Sequence, residues 1–387
     1  MNICEKCKVD LGIENIDLMR NGMRTTCPYL YVLPKKAELL HNNFVKSMEL
    51  RKWNFILVSG DNGDGKSVYV KNLENIADKI GYPIVHIEIK DDQISQYGPG
   101  PYFTLQVYNN LRLPDGELLR WKILENVEIR KKINSTIKND LASFEFWNPA
   151  LTSALLHATD DSNESLKKMS LSWLNGEPKY LTDLRDMEIY DKTMKSLLNV
   201  PTDRVLFLLK DLLNKLGYKG LIVSIDEIER VADLNRPKSI PTLSVLRDII
   251  NILTSHDSMP TARGITEGLF VVYAISTFFL GYSGVIERTG VDFAAQADKY
   301  SRPKITLMDV PRLGTVLKNS ASQIDVSFES LEDLKSLSER VIACYKQSIE
   351  KSITVSFEEL ANKSFNETNK FLARSNVMAM IKTLDNL

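Results

Sequence analysis

Apolar and polar positions follow one another along this chain in blocks that predict an α/β fold. Short apolar runs of the kind found in buried parallel strands lie at 54–60, 83–90, 221–226 and 268–279. Between the first two runs, residues 66–81 place apolar side chains at helical spacing and end at a glycine. These segments predict a strand–helix–strand unit, and with it a parallel sheet flanked by helices.

Helical patterns dominate the rest of the chain. The stretch from about 95 to 200 contains no strong strand pattern, which predicts an α-helical insertion within the core. From 311 to 387 every pattern is helical, and residues 1–45 read as a further helical segment. The predicted order is therefore an N-terminal helical segment, an α/β core at 46–310 that carries the insertion, and a C-terminal helical part.

Composition and charge narrow the class of protein. The chain has 43% hydrophobic and 26% charged residues and a net charge of −1, as expected of a folded, cytoplasmic protein. No run reaches the roughly 18 consecutive apolar residues of a membrane span, and the N-terminus lacks the apolar centre of a signal peptide. A net charge near zero gives no overall field for nucleic acid.

One basic segment is the best local candidate for nucleic-acid contact. The sequence EIRKKINSTIK carries Arg130, Lys131, Lys132 and Lys138. A charged run of this kind on a helix is more often a solvated face than a nucleic-acid site, so the solvated face is the favoured interpretation.

The cysteines near the N-terminus raise the question of a zinc site. Cys4 and Cys7 form a CxxC pair, Cys27 follows, and His41 is a candidate fourth ligand. A structural zinc module normally has two close ligand pairs, and the second pair is missing here. Free thiols in a reducing cytoplasm are the favoured interpretation.

The turn after the first strand has the chemistry of a phosphate cradle. The sequence GDNGDGKS fits the pattern GxxxxGK[ST], in which glycines let backbone N–H groups surround phosphates at the start of a helix. Lys66 is expected to reach the β- and γ-phosphates, and the Ser67 hydroxyl to bind Mg²⁺. The residues expected to bind nucleotide are Gly60, Asp61, Asn62, Gly63, Asp64, Gly65, Lys66, Ser67 and Val68.

An acidic strand further along the chain supports this interpretation. LIVSIDE places Asp226 and Glu227 at the carboxyl end of a buried strand, where ligands bind in open parallel sheets. Asp226 is expected to hold Mg²⁺ through water, and Glu227 to act as general base on the attacking water. No [NT]KxD element for guanine follows, so ATP is favoured over GTP. The strand at 268–275 brings Ser276 and Thr277 to the same edge.

These features resemble the AAA+ ATPases, within them the initiator-type branch, and more closely the BREX-type phage-defence ATP-binding proteins. The narrower resemblance is carried by IDLMRNGMR, SLSWLNGE, LGYKGLIVSIDEIERV, FVVYAISTFF and FLARSNVMAMIKTLDNL. It implies an α/β P-loop NTPase fold with a C-terminal helical lid at 311–387, and phage defence beside DNA-modifying or nuclease partners.

The resemblance also assigns roles to single residues. Lys66 and Ser67 match the Walker A positions, and Asp226 and Glu227 match the Walker B pair. Ser276 falls at the sensor-1 position, although the family often has a threonine–proline pair there, and Arg374 matches the sensor-2 arginine of the lid. An arginine finger is expected between 280 and 315, where Arg288 is favoured over Arg302 and Arg312.

Three functions fit these residues to different degrees. The first is an ATP-driven switch or remodelling ATPase, working as a homo-oligomer or in a complex with other defence proteins. The second is a scaffold that binds nucleotide only for stability or assembly, and the intact Lys66, Asp226 and Glu227 count against it. A small-molecule kinase fits least. Any DNA contact is expected to be non-specific, through the insertion or a ring pore.

Overall fold

A computed structural model describes residues 20, 31–52, 54–61, 63–234, 236–255, 267–276, 322–349 and 354–386. Six strands form one sheet with the order β3–β2–β4–β5–β1–β6. They are β1 (Asn54–Gly60), β2 (Ile84–Glu88), β3 (Leu111–Arg112), β4 (Leu221–Asp226), β5 (Leu269–Ser276) and β6 (Ser322–Asp325). All neighbouring strands are parallel except β3, which runs antiparallel to β2 at one edge. The predicted α/β fold is confirmed.

Helices follow the predicted strands β1, β2 and β4 and fill the predicted insertion. The first helices are α1 (Glu38–Glu49), α2 (Lys66–Ile80), α3 (Asp91–Tyr97) and α4 (Pro99–Asn109). The insertion continues with α5 (Leu119–Glu125), α6 (Val127–Asn139), α7 (Leu141–Trp147), α8 (Pro149–Ala158), α9 (Glu164–Leu174) and α10 (Leu181–Asp186). Then come α11 (Thr202–Lys215), α12 (Arg236–Ser255), α13 (Leu331–Ile349), α14 (Phe357–Thr368) and α15 (Ala373–Asp385).

The sheet is covered on both faces, which explains why its strands read as continuous apolar runs. Because side chains alternate along a strand, Ile56 and Val58 of β1 pack with the cluster around α1 and α2. Phe55 and Leu57 point the other way, into a larger cluster shared with the insertion helices and α11. The insertion is thus part of the main core and is not a separate appendage.

The C-terminal helices form a smaller cluster of their own. Buried side chains of α13, α14 and α15, including Leu334, Leu360 and Met380, pack together, and Val32 from the N-terminal side joins them. Cys344 is also buried in this cluster. We call this three-helix unit, residues 331–385, the lid.

Two strands lie where only helices were expected, namely the two-residue β3 within the predicted helical insertion and β6 in the C-terminal part. Residues 322–325 form β6 and pair with β1, in the stretch from 311 onward that the sequence predicts as purely helical. The segment SQID has only four residues and one buried apolar side chain, Ile324, so no periodicity is visible in it. Its strand conformation depends on pairing with the edge of β1 that β5 leaves open.

Among the described residues, no helix is long and apolar enough to cross a membrane.

Candidate functional site

The carboxyl ends of the central strands bring the predicted Walker residues to one edge of the sheet. In the strand register Gly60 lies beside Ser276, and Ser59 lies beside Asp325 on the other side. β5 separates β1 from β4, which ends at Asp226. The glycine loop and the acidic strand therefore lie at the same edge, one strand apart.

The glycine loop turns tightly because two of its glycines adopt left-handed backbone conformations. Gly63 has φ 102° and Gly65 has φ 92°, values that side chains with a Cβ rarely adopt. Gly65 directly precedes α2. A helix that begins at a glycine turn leaves its first N–H groups outside the helical hydrogen-bond pattern, where a phosphate can accept from them.

Lys66 lies against the inside of this loop. Its side chain is only 8% exposed. The Nζ donates to the carbonyl oxygens of Gly60 at 3.0 Å and Asp61 at 3.2 Å. It also lies 3.7 Å from the Oε1 of Glu229, in the turn after β4. The ammonium group is therefore held at the mouth of the loop by carbonyls and by one carboxylate.

Asp226 has an anionic oxygen that the described residues leave without a hydrogen bond. Its Oδ1 accepts from the N–H of Glu227 at 2.8 Å, whereas the buried Oδ2 finds no partner in the described part of the chain. Burying an unpaired carboxylate oxygen is costly, so this position suits a cation. Hard oxygen donors such as Asp226 and the half-buried hydroxyl-bearing Ser67 are the ligands that Mg²⁺ prefers. The residues present fit a magnesium ion.

Glu227 adopts a strained backbone conformation at the end of β4. Its φ of 60° and ψ of 38° place it in the left-handed region, which costs a non-glycine residue about 1–3 kcal/mol. Its carboxylate, 15% exposed, forms an ion pair with the Nε of Arg230. Outliers of this type cluster at functional sites, because the surrounding structure must hold them in place.

The lid contacts the glycine loop through the start of α15. The N–H of Arg374 donates to the carbonyl oxygen of Gly63 at 3.0 Å. A Cβ added to Gly63 would lie 3.1 Å from the Cβ of Arg374, so the two backbones are in close contact. The exposed side chain of Arg374 thus begins beside the loop where phosphates are expected to bind.

The sequence did not reveal the role of Asp64. This side chain is buried beneath the loop, and its Oδ2 accepts from the N–H of Asp61 at 2.6 Å. Burial raises the pKa of Asp64 to about 6, although the hydrogen bond from Asp61 and the charge of Lys66 act in the opposite direction. Asp64 closes the turn from within. The sequence signal for this role was the position of Asp64, a carboxylate two residues before Lys66.

A buried polar network behind the loop was also missed. Glu74 of α2 accepts hydrogen bonds from Lys71 at 3.0 Å and from Ser224 of β4, and it lies 2.6 Å from the Nδ1 of His86 on β2. Burial raises the pKa of Glu74, but His86 and Lys71 outweigh it and lower this pKa to about 2. Burial lowers the pKa of His86, but its contacts with Glu74 and Glu88 raise it overall.

The Glu74–His86 pair predicts a two-sided pH dependence of stability. The pKa of Glu74 lies below its ordinary value of 4.5, so its contribution is present above pH 4.5 and is lost as pH falls toward 2. The pKa of His86 lies above 6.5, so its contribution is present below pH 6.5 and is lost as pH rises through the folded-state value. We expect Glu74→Gln to lower the free energy of unfolding most between these limits.

Urea unfolding at a series of pH values measures this effect. The exposed Glu125, replaced in the same way, is the control because it removes one negative charge from the insertion surface. A Glu74→Gln variant that loses the same free energy of unfolding at every pH would contradict the ion-pair account and indicate a packing defect alone.

Several predicted residues lie outside the described part of the chain. These are Asn62 of the loop, Thr277, the arginine-finger candidates Arg288, Arg302 and Arg312, and the cysteines Cys4, Cys7 and Cys27. Ser276 is placed by its backbone alone, beside Gly60. His41, the candidate fourth zinc ligand in the disfavoured interpretation, lies with its Nδ1 3.1 Å from the hydroxyl of Tyr69, and no cluster of three metal-binding side chains occurs among the described residues.

The basic segment of α6 is engaged within the protein. Arg130 is buried, with its Nε 2.9 Å from Asp161 and its Nη1 on the carbonyl oxygen of Leu124. Lys132 donates to the carbonyl oxygen of Leu216, and Lys131 pairs with a glutamate on its own helix. Two of the four charges therefore hold α6 in place, and the segment is neither a simple solvated face nor a continuous nucleic-acid patch.

Comparison with known protein families identifies an ATP-binding protein. The family model of the BREX system ATP-binding protein BrxC/D matches residues 122–385, which include the acidic strand and the lid, whereas the glycine loop precedes the match. A search of solved structures finds the Walker-type ATPase of Pyrococcus abyssi, with 12% identity over 92% of this chain and 77% of that chain and a TM-score of 0.32. A likeness this weak carries no weight. No curated protein matches the sequence.

Proposed function

Because this chain belongs to the family of BREX system ATP-binding proteins, we propose that it is an ATP-hydrolysing switch of the AAA+ type in phage defence. The observation that carries the proposal is the contact between lid and loop, where the N–H of Arg374 donates to the carbonyl oxygen of Gly63. A nucleotide bound at the loop must adjust this contact. Binding and hydrolysis are thereby linked to the position of the lid.

Nucleotide binding uses the groups at the mouth of the loop. The N–H groups that follow Gly63 cradle the phosphates at the start of α2, and Lys66 exchanges its carbonyl partners for phosphate oxygens. Arg374 approaches from the lid side and adds a second positive charge. The two cations come from different elements that meet at the loop, so a phosphate chain ties the lid to the core.

Hydrolysis uses the acidic end of β4. Glu227 accepts the proton of the attacking water, and Ser276 beside Gly60 senses the terminal phosphate. Asp226 and Ser67 would hold Mg²⁺, with the buried Oδ2 of Asp226 as the anionic anchor. When bound, the ion offsets negative charge on the phosphate oxygens. Arg288 of a neighbouring subunit is our candidate for the arginine finger.

The partners that fit this account are other defence proteins or further copies of the chain. The insertion, residues 95–200, offers a broad surface away from the loop for such contacts. DNA binding by this chain would be non-specific and would weaken steeply with salt, because it would rely on backbone phosphates. Because Arg130 and Lys132 are engaged within the protein, we assign no DNA contact to α6.

A nucleotide-stabilised scaffold is the second candidate, and one observation favours it. The carboxylate of Glu227 forms an ion pair with Arg230, which competes with a water molecule for this carboxylate. In a scaffold this pair would be permanent, so nucleotide would bind without turnover.

Phosphate release from ATP by the full-length chain separates the two functions. The assay is run with and without duplex DNA, and each sample is sized by light scattering in ATP and in ADP. The switch predicts turnover together with a nucleotide-dependent change in size or in response to DNA. ATP binding with no turnover under any of these conditions would instead support the scaffold.

A further inference from the structure

The turn that follows the acidic strand contacts both reactive side chains of the site. Residues Ile228–Asp233 form a short 3-10 helix directly after Glu227. Its apolar residues Ile228 and Val231 are buried in the main core, so the turn is anchored from below. The charged residues between them, Glu229 and Arg230, are directed toward the site.

Each of these charged residues pairs with a group of opposite charge that the reaction needs. The Oε1 of Glu229 lies 3.7 Å from the Nζ of Lys66. The Nε of Arg230 pairs with the carboxylate of Glu227. Two adjacent residues of this turn therefore contact the proposed phosphate-binding lysine and the proposed general base at the same time.

The two ion pairs differ in how much water reaches them. Lys66 is 8% exposed and Glu229 22%, so their attraction is only partly screened. Arg230 is 49% exposed, so water screens its attraction to Glu227 more strongly and this pair opens more easily.

We propose that Glu229 competes with the terminal phosphate of ATP for Lys66, and that its displacement moves the turn so that Arg230 releases Glu227. This inference rests on the proposed ATPase function and names how the site distinguishes a triphosphate from a diphosphate. Glu229 is a specificity-determining residue, and Arg230 is a positioning residue that acts through Glu227.

Charge explains why the triphosphate is the trigger. The Glu229 carboxylate lies within ion-pair distance of Lys66. The γ-phosphate of ATP is expected to bind the same lysine. Two anions cannot share one lysine without repulsion, so the glutamate must withdraw. ADP lacks the γ-phosphate, so less negative charge competes with Glu229 for Lys66, and the turn stays closed on Lys66 and Glu227.

The test compares affinities for ATP and ADP by titration with their fluorescent N-methylanthraniloyl derivatives. We expect Glu229→Gln to tighten ATP binding about fivefold and to change ADP binding less than about twofold, as for the loss of one partly screened charge. Asp233→Asn is the matched control, since it removes one acidic charge from the same turn.

Turnover provides the second readout. We expect Arg230→Ala to raise kcat for ATP about threefold with little change in KM, because Glu227 is then no longer held. Arg230→Lys restores an ammonium partner and should return kcat toward the wild-type value. Thermal unfolding of each variant distinguishes these effects from loss of the fold.

The outcomes separate this inference from the function on which it rests. Wild-type protein that binds neither nucleotide overturns both. A second outcome is that the wild-type protein binds and hydrolyses ATP, but Glu229→Gln changes the affinities for ATP and ADP by the same factor. This outcome overturns the inference and leaves the proposed ATPase function supported. A fall in kcat for Arg230→Ala likewise shows that Arg230 supports Glu227 and does not restrain it.

Discussion

Replacing Lys66 with alanine is expected to weaken ATP binding by about 100-fold, or about 2.7 kcal/mol. The ammonium group lies at the mouth of the loop, bonded to the carbonyl oxygens of Gly60 and Asp61, and can turn toward phosphate without rebuilding the backbone. Charge-assisted hydrogen bonds to phosphate in a nearly buried position are stronger than neutral ones, which accounts for the size of the loss. Isothermal titration with ATP measures it.

Lys79→Ala is the control for this variant, because Lys79 is an exposed lysine on the same helix, α2. Both variants lose one positive charge and the same aliphatic chain. Equal affinities for ATP in the two variants would contradict the assignment of the loop as the nucleotide site. Circular dichroism and a thermal melt show whether the loss of the two carbonyl contacts has altered the fold.

Replacing Glu227 with glutamine is expected to lower the rate of phosphate release by about 10²- to 10⁴-fold while ATP affinity stays within about threefold. Glutamine has nearly the same shape and can occupy the same left-handed position, but it cannot accept a proton. The change therefore removes the proposed general base and keeps a side chain of nearly the same shape at the end of β4. Single-turnover phosphate release measures the chemical step directly.

Glu125→Gln provides the reference, since it makes the same substitution on an exposed helix of the insertion. Phosphate release by Glu227→Gln at the rate of this reference would show that another group activates the water. A parallel loss of ATP affinity would show that Glu227 holds the nucleotide or the loop and does not act as the base.

The positions of the main elements follow from the sequence because their causes are local. Strands β1, β2, β4 and β5 are buried on both sides and are therefore continuous apolar runs, and α2 begins where the glycines allow a tight turn. The resemblance to BREX ATP-binding proteins, confirmed by the family match, adds the lid to this picture.

What the sequence could not supply depends on contacts between distant segments. β6 is a strand only because β1 has a free edge beside it. Arg130 is basic in the sequence but is buried against Asp161, thirty-one positions away. The ion pair between Glu229 and Lys66 joins the turn after β4 to the start of α2, and sequence periodicity gives no information about contacts between distant segments. The roles of the predicted site residues remain predictions.

The left-handed backbone at Glu227 is the clearest example. From its sequence, IDEIER reads as a strand end with two acidic residues, and the pairing of Glu227 with Arg230 three positions later depends on the turn that this conformation creates. A glutamate rarely adopts such a conformation, so local propensity predicts the opposite. Only the packed turn, anchored by Ile228 and Val231, fixes it.

Equilibrium titration of the wild-type chain with ATP, in Mg²⁺ and again in excess chelator, tests the central claim most directly. The claim is that the loop at 60–67 and the acidic end of β4 form one nucleotide–magnesium site. We expect saturable binding that Mg²⁺ strengthens, because the buried oxygen of Asp226 has a cation to pair with. No saturable binding, or binding with the same affinity in chelator, would contradict it.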